Sequence, residues 1–155
     1  MNLFKDTQKL AKTLLDLCQD FDGLVLEFWA QLGGQARMES RQVVIEVGEV
    51  LKNAGKMLIL VIPPPLYFND APGMIEEEDL DRMSDYVTYF SLMTYDYSST
   101  ARPGPNSPLN WVRKCIEVLD PHKYHRSQIL LGLNFYGYDF TSEGGGPLVI
   151  LYNSS

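Results

Sequence analysis

The stretch Phe21-Asp22-Gly23-Leu24-Val25-Leu26-Glu27-Phe28-Trp29 decides how this chain folds. Its apolar part, from Leu24 to Trp29, predicts a buried β-strand that follows a turn at the aspartate and glycine. Successive side chains of a strand point to opposite faces, so Val25, Glu27 and Trp29 are predicted to share one face. An acidic and an aromatic side chain would then point together to the same side of a sheet.

Outward from this stretch, amphipathic helices alternate with apolar strands. Helices are predicted over about residues 3–19 and 39–53, after the acidic run 76–78, and after an N-cap at Ser107 with Pro108 as the first helical residue; further strands are predicted over 57–62, 87–95 and 129–135. Apolar strands that alternate with such helices indicate a parallel sheet with the helices outside. We therefore predict an α/β fold, a partial (β/α)8 TIM barrel of about four parallel strands, over residues 1–140, with 141–155 as an unassigned tail.

Four strands are half of such a barrel, so this prediction leaves two open sheet edges. The strand at Leu24 and the strand at Ile129 would each lack one neighbour. An open edge presents free backbone groups to other chains. A fragment, a truncated gene product, or self-association that covers both edges is favoured over a stable half-barrel monomer.

Charge and composition exclude several classes of function. The net charge of -7 over 155 residues and a pI near 4.7 argue against a nucleic-acid partner. The longest apolar runs, such as Met57–Ile62, are too short to span a membrane. Residues 1–20 mix lysines with acidic residues and do not read as a signal peptide.

Neither the cysteines nor the histidines predict a special site. Cys18 and Cys115 both lie among apolar helical residues and are interpreted as buried free thiols. His122 and His125 lie three apart without further ligands at metal spacing. We predict no metal and no cofactor.

Several segments together resemble glycoside hydrolase family 18, the chitinase family. Beside the opening stretch, these are Leu92-Met93-Thr94-Tyr95-Asp96-Tyr97, Gly104-Pro105-Asn106-Ser107-Pro108-Leu109 and Leu131-Gly132-Leu133-Asn134-Phe135-Tyr136-Gly137. They match the family in order and spacing over about residues 10–140. The resemblance implies that the four strands correspond to the fourth to seventh strands of the family's barrel.

The same resemblance implies that this chain lacks the family's catalytic acid. The family pattern reads Phe-Asp-Gly-x-Asp-x-Asp-x-Glu, and its last glutamate donates the proton. Here the three acidic positions hold Val25, Glu27 and Trp29. The implied function is a chitinase-like protein that binds chitin-type oligosaccharides without cutting them. Two alternatives stay open: an active hydrolase that uses Glu27 or Asp96 as its acid, and a non-binding fragment that acts only in protein interactions.

Within the family, the segments Leu60–Pro64 and Phe90–Ser98 most resemble the chitinase domain-containing protein 1 group, also called stabilin-1-interacting chitinase-like proteins. That resemblance implies a secreted or lysosomal protein. It also implies a scavenger-receptor-like protein partner beside the oligosaccharide.

Six residues are candidates for saccharide binding: Trp29, Glu27, Tyr95, Asp96, Asn134 and Tyr136. In active members of the family, the residues that match Tyr95 and Asp96 hold the N-acetyl group of the sugar; here they either contact ligand or persist as a structural network. Trp29 is either a platform for a sugar ring or a packing residue. Glu27 is either a structural carboxylate, hydrogen-bonded to Tyr95 or a neighbour, or a ligand contact.

Overall fold

The computed structural model describes residues 6–32, 36–140 and 148–151, and the first part of the predicted helix at 3–19 lies outside this range. Helices alternate with strands in the predicted order up to the fourth strand. The helices are α1 (Thr7–Leu17), α2 (Arg37–Asn53), α3 (Glu77–Met83) and α4 (Leu109–Leu119); the strands are β1 (Gly23–Leu26), β2 (Met57–Ile62), β3 (Tyr89–Leu92), β4 (Ile129–Leu131), β5 (Tyr136–Asp139) and β6 (Leu148–Leu151).

The first four strands form one parallel sheet in the order β1-β2-β3-β4. Each strand pairs with the next along the chain, and a helix connects every pair. Right-handed crossovers place such helices on one side of the sheet. The predicted α/β half-barrel, with four parallel strands alternating with helices, is confirmed.

The core lies between this sheet and the helices. Alternate residues of β2 are buried on the helix side, namely Leu58, Leu60 and Ile62. Helix α2 packs there because Val43, Val47 and Leu51 recur every four residues and so share one face. The opposite face of the sheet is open: Val25 on β1 is 61% exposed. This open face corresponds to the inside of a complete barrel.

A buried ion cluster joins α2 to the start of α3. Asp79 is fully buried, and its carboxylate accepts from Arg37 Nε at 2.8 Å and from the backbone N–H of Glu76 at 3.0 Å. Arg37 also forms an ion pair with Glu76 at 2.7 Å. These contacts cap the first turn of α3 and satisfy a charge that would otherwise be costly to bury.

Three strands are shorter than predicted. β3 covers Tyr89–Leu92 and not 87–95, and the corrections to β1 and β4 affect the site. β1 ends at Leu26 and not at Trp29, because the chain turns at Trp29 into a short 3-10 segment, with Gln31 N–H donating to Phe28 O. β4 ends at Leu131 and not at Phe135. Residues 132–135 leave the sheet and lead into the antiparallel hairpin of β5 and β6, which was not predicted.

The end of α2 and the start of α4 each depend on one special residue. Gly55 has a φ of +71° just after α2, in the left-handed region that favours glycine after the end of a helix. Pro108, and not Ser107, occupies the N-cap position of α4. The Ser107 hydroxyl instead donates to Thr94 O at 2.5 Å. It thereby ties the start of α4 to the end of β3.

Cys18 and Cys115 are both buried free thiols, and burial raises the pKa of Cys115 to about 11. Among the described helices, none is long and apolar enough to cross a membrane.

Candidate functional site

A cleft of about 590 Å³ lies at the carboxyl ends of β2 and β3. We call it the first cleft. Two loops form its walls, the one after β2 and the one between β3 and α4. Its aromatic lining consists of Tyr67, Phe68, Tyr95, Tyr97 and Trp111. The carboxyl ends of strands in a parallel barrel are where such folds place ligand contacts, so the first cleft is the candidate site.

Asp96 is the best-defined polar group of the site. Its φ of 59° lies in the left-handed region, and its backbone N–H donates to Asn106 Oδ1 at 2.6 Å. Its carboxylate accepts from the Tyr136 hydroxyl at 2.6 Å. Two loops and the start of the hairpin therefore converge on one exposed carboxylate. An aspartate tolerates this backbone conformation better than most residues.

Tyr95 lies beside Asp96 and Tyr136, and nearby negative charges affect its pKa. Its ring meets that of Tyr136 edge to face, with centroids 6.5 Å apart. Burial chiefly raises the pKa of Tyr95, and the negative charges of Glu27 and Asp96 raise it further. Burial likewise raises the pKa of Tyr136, followed by its hydrogen bond to Asp96. Both phenols therefore stay protonated at neutral pH and can donate hydrogen bonds.

Trp29 does not share a face with Glu27, which corrects the expectation from strand alternation. Its side chain is only 2% exposed, and its indole N–H donates to Met74 O at 2.9 Å. The chain has left the strand by this point, so the alternation no longer applies. The placement corresponds to the packing interpretation of Trp29 and not to the sugar platform.

The other candidates lie near the first cleft but not within its lining. Glu27 follows β1 as an exposed residue. Asn134 donates from its side-chain amide to Tyr136 O at 2.7 Å, which fixes the start of the hairpin. The structure thus brings Tyr95, Asp96 and Tyr136 into direct contact, holds Asn134 next to them, and separates Trp29.

Sequence reasoning missed part of the lining of the first cleft. Phe68 and Tyr97 contact each other with ring centroids 5.7 Å apart, and Tyr97 contacts Trp111 at 5.0 Å. The guanidinium of Arg102 lies over the Phe68 ring, 3.8 Å from its centroid. The available signal was the aromatic pair Tyr67-Phe68, which follows a strand, three prolines and Leu66, since barrel loops in that position face the mouth.

The sequence model of glycosyl hydrolases family 18 matches residues 2–148. A solved chitinase from Chromobacterium violaceum superposes with a TM-score of 0.79 at 21% identity over 96% of this chain and 47% of that one.

Two further solved structures agree with this superposition. The spore cortex-lytic enzyme SleL of Bacillus cereus matches with a TM-score of 0.75 at 18% identity over 96% of this chain and 36% of that one. Catalytic domain 2 of the Group II chitinase of Ostrinia furnacalis, solved as a mutant with an N-acetylglucosamine oligomer, matches with a TM-score of 0.68 at 18% identity, over 94% of this chain and 44% of that one. These likenesses show the fold, and the chain spans about half or less of the length of each structure.

Proposed function

This chain belongs to glycosyl hydrolases family 18, and from that membership we propose that it binds chitin-type oligosaccharides without hydrolysing them. The proposal combines the residue at the family's proton-donor position with the chemistry of the first cleft. Binding and the lack of hydrolysis are tested by separate experiments.

The observation that carries the proposal is the placement of Trp29. Hydrolysis in this family is substrate-assisted, so one carboxylic acid must protonate the leaving oxygen. At the position of that acid this chain has Trp29, whose indole has no acidic proton to donate. The side chain is also buried, and its N–H already donates a hydrogen bond to Met74 O. Loss of general-acid catalysis alone slows such a reaction by about 10²- to 10⁴-fold.

Glu27 is poorly placed to substitute for the missing acid. In the family pattern, position 27 matches an aspartate two residues before the proton donor, and two residues of the family's strand span about 6.6 Å. A proton donor must come within about 3 Å of the oxygen that it protonates. Glu27 would therefore miss the glycosidic oxygen that the family's glutamate reaches.

The first cleft suits sugar binding. Aromatic rings offer apolar faces to the C–H side of a pyranose, and Phe68 and Tyr95 line the cleft. The exposed carboxylate of Asp96 can accept a hydrogen bond from a sugar hydroxyl or amide. A few polar groups among aromatic walls are typical of small-molecule sites.

One observation favours the alternative of an active hydrolase. The charges of Glu27 and Asp96 both act on Tyr95, so two carboxylates lie near one phenol. Such a cluster is a candidate for acid–base chemistry.

Two assays on the same preparation distinguish these functions. Calorimetric titration with chitotetraose should show binding, and a fluorogenic chitotrioside should show no turnover. Turnover that disappears in Glu27→Gln or Asp96→Asn would establish the hydrolase instead. Glu77→Gln, which changes a partly exposed carboxylate on α3 away from the site, is the control.

The resemblance to the chitinase domain-containing protein 1 group extends the proposal. On that basis we propose a secreted or lysosomal location and a scavenger-receptor-like partner. Immunofluorescence of the tagged protein against lysosomal markers, with assay of the culture medium, tests the location; a cytosolic distribution would contradict it.

A further inference from the structure

The helix that precedes the first strand has no strands of its own sheet to cover. Helices α2, α3 and α4 each connect two neighbouring strands of the sheet β1-β2-β3-β4. Helix α1 packs against α2, which packs in turn against α3, so α1 extends the helix layer past the β1 edge. The described part of the chain therefore holds four helices and four parallel strands, which are half of the parts of a (β/α)8 barrel.

Apolar side chains remain exposed on the helix side at both edges of this sheet. Leu17, the last residue of α1, is 71% exposed. At the opposite edge, Leu131 of β4 is 43% exposed, although Leu92 and Ile62, which lie in register with it, are fully buried on the helix side. A helix without strands beneath it and a strand without a helix above it are complementary, so a second copy of the chain supplies what each lacks.

The open face of the sheet carries residues of the kind that fill the inside of a barrel. Strand pairing places two rows across this face, namely Val25, Ile59 and Tyr89 in one row and Val61, Ser91 and Leu130 in the next. Bulky branched side chains dominate barrel interiors, and eight strands leave an interior that such side chains just fill. A second sheet that faces the first would therefore bury both rows.

The amino ends of the two edge strands carry opposite charges. Asp20 and Asp22 precede β1 and are exposed, and Lys123 is exposed in the loop before β4. Among the described residues, the ion pairs include none of these three side chains. Parallel strands have their amino ends on the same side, so β4 of one copy beside β1 of another would bring the lysine and the aspartates to one end of the contact. Complementary charges favour this pairing over a contact between two β1 or two β4 edges.

We propose that two copies of this chain close one eight-stranded parallel barrel, in which β4 of each copy pairs with β1 of the other. A two-fold axis along the barrel relates the copies, so both contacts form at once and no edge of the four-stranded sheets stays free. Helix α1 of each copy covers the contact, which we call the seam, and the two open faces fill the common interior. This chain covers 47% of the solved Chromobacterium violaceum chitinase, so two copies have about the length of one such protein.

Closure has a consequence for the candidate site, although the proposal does not rest on sugar binding. All eight strands of the closed barrel point the same way, and the first cleft lies at the carboxyl ends of β2 and β3. Both first clefts therefore open at one mouth.

The mass of the assembly separates closure from open-ended association. Light scattering after size-exclusion chromatography, together with native mass spectrometry, measures this mass over roughly a hundredfold range of protein concentration. Closure predicts a species of twice 17.6 kDa that grows no further, because its edges are paired. Growth into larger oligomers would overturn the proposal, and so would a monomer at every concentration.

Matched variants of the full chain locate the contact. Leu17→Glu in α1 and Leu131→Glu in β4 each place a charge in the seam. The controls are Met38→Glu, at a side chain that is 72% exposed on α2, and Val118→Glu, at one that is 46% exposed in the groove between α4 and the start of α3. Circular dichroism establishes that each variant is folded, and Leu17→Gln and Leu131→Gln carry the test if a glutamate variant is not.

We expect each seam variant to raise the dissociation constant of the dimer by roughly tenfold or more, and each control to change it by about twofold or less. An unchanged dissociation constant in both folded seam variants would overturn the closed barrel. Equal weakening by the controls would overturn it as well, because the contact would then not follow the strand edges.

Discussion

At the scale of single residues, the site depends on which side chains are exposed to a ligand and which are buried in the core. The Tyr136 hydroxyl donates a hydrogen bond to the Asp96 carboxylate, and the side-chain oxygen of Asn106 accepts a hydrogen bond from the Asp96 backbone N–H. Asp96 is thereby oriented, yet its side chain remains exposed. Trp29 is the opposite case, since it is buried and its only donor is satisfied. Position 96 is therefore available to a ligand, whereas position 29 belongs to the core.

Restoring the family's acid by Trp29→Glu should therefore damage the fold and give no activity. The change buries a carboxylate in a site shaped for an indole and removes the hydrogen bond to Met74 O. We expect the free energy of unfolding to fall by about 3–5 kcal/mol. Urea denaturation measures this loss. Tyr124→Glu, at an exposed aromatic position, is the control and should change stability by about 0.5 kcal/mol or less. A stable Trp29→Glu variant that cleaves chitotrioside would contradict the account.

The raised pKa of Tyr136 predicts a loss of stability in alkali. An unfolded tyrosine loses its proton near pH 10, whereas burial and Asp96 hold the folded pKa above that value. The contribution is fully present below about pH 10 and declines as the pH rises further, because only the unfolded chain then gains by ionising. Urea midpoints at pH 8, 9.5 and 10.5 should fall less steeply in Tyr136→Phe than in the native protein. Equal slopes for Tyr136→Phe and the native protein would contradict the assignment.

At the scale of helices and strands, the connection between α2 and α3 holds one wall of the barrel together. Asp79 is fully buried and receives hydrogen bonds from Arg37 and from the start of its own helix. Glu78, one residue earlier, makes ion pairs with Arg41 and Arg82 at the surface. These neighbouring carboxylates should therefore differ widely in their effect on stability.

We expect Asp79→Ala to lower the free energy of unfolding by about 3–5 kcal/mol, because the partly buried Arg37 charge then loses its buried partner and keeps only the exposed Glu76. Glu78→Ala should cost about 1 kcal/mol or less, since exposed ion pairs contribute little. Chemical denaturation of the two variants measures both values. Similar losses in the two would contradict a structural role for the buried cluster.

The same scale shows what the sequence could predict. Periodicity located β2 at both ends, because a continuous apolar run stops at three prolines. It misplaced the ends of β1, β3 and β4, because the point at which a strand ends depends on contacts with neighbouring elements, which the sequence pattern does not contain. Beyond Leu26 the course of the backbone is set by the hydrogen bond of the Trp29 indole to Met74 O. Beyond Leu131 it is set by the close packing of Gly132 against the Tyr95 ring. The motif around Asp96 was found by resemblance, whereas Phe68 and Arg102 required the loops to be placed in space.

At the scale of the whole molecule, the described four-stranded sheet has two open edges and one open face. β1 and β4 each pair with a single strand in the described part of the chain. Parallel sheets are usually covered on both faces. Apolar side chains such as Val25 and Leu130 are instead exposed here.

We therefore expect the chain as given to self-associate at micromolar concentration, because the open edges and face favour pairing with another chain. Size-exclusion chromatography with light scattering measures this. Val25→Lys, which adds a charge to the open face of an edge strand, should shift the population towards monomer. A compact monomer with a cooperative melt in the native protein would contradict this prediction.

The central claim is that the chain binds a chitin-type oligosaccharide and returns it uncut. One measurement tests it most directly: equilibrium dialysis against chitotetraose, followed by chromatography of the recovered sugar. The account predicts that the protein retains chitotetraose and that all of it is recovered as tetramer. Recovery of shorter oligomers, absent with Glu27→Gln, would contradict the claim that the chain does not cut, and failure to retain any chitotetraose would contradict the claim that it binds.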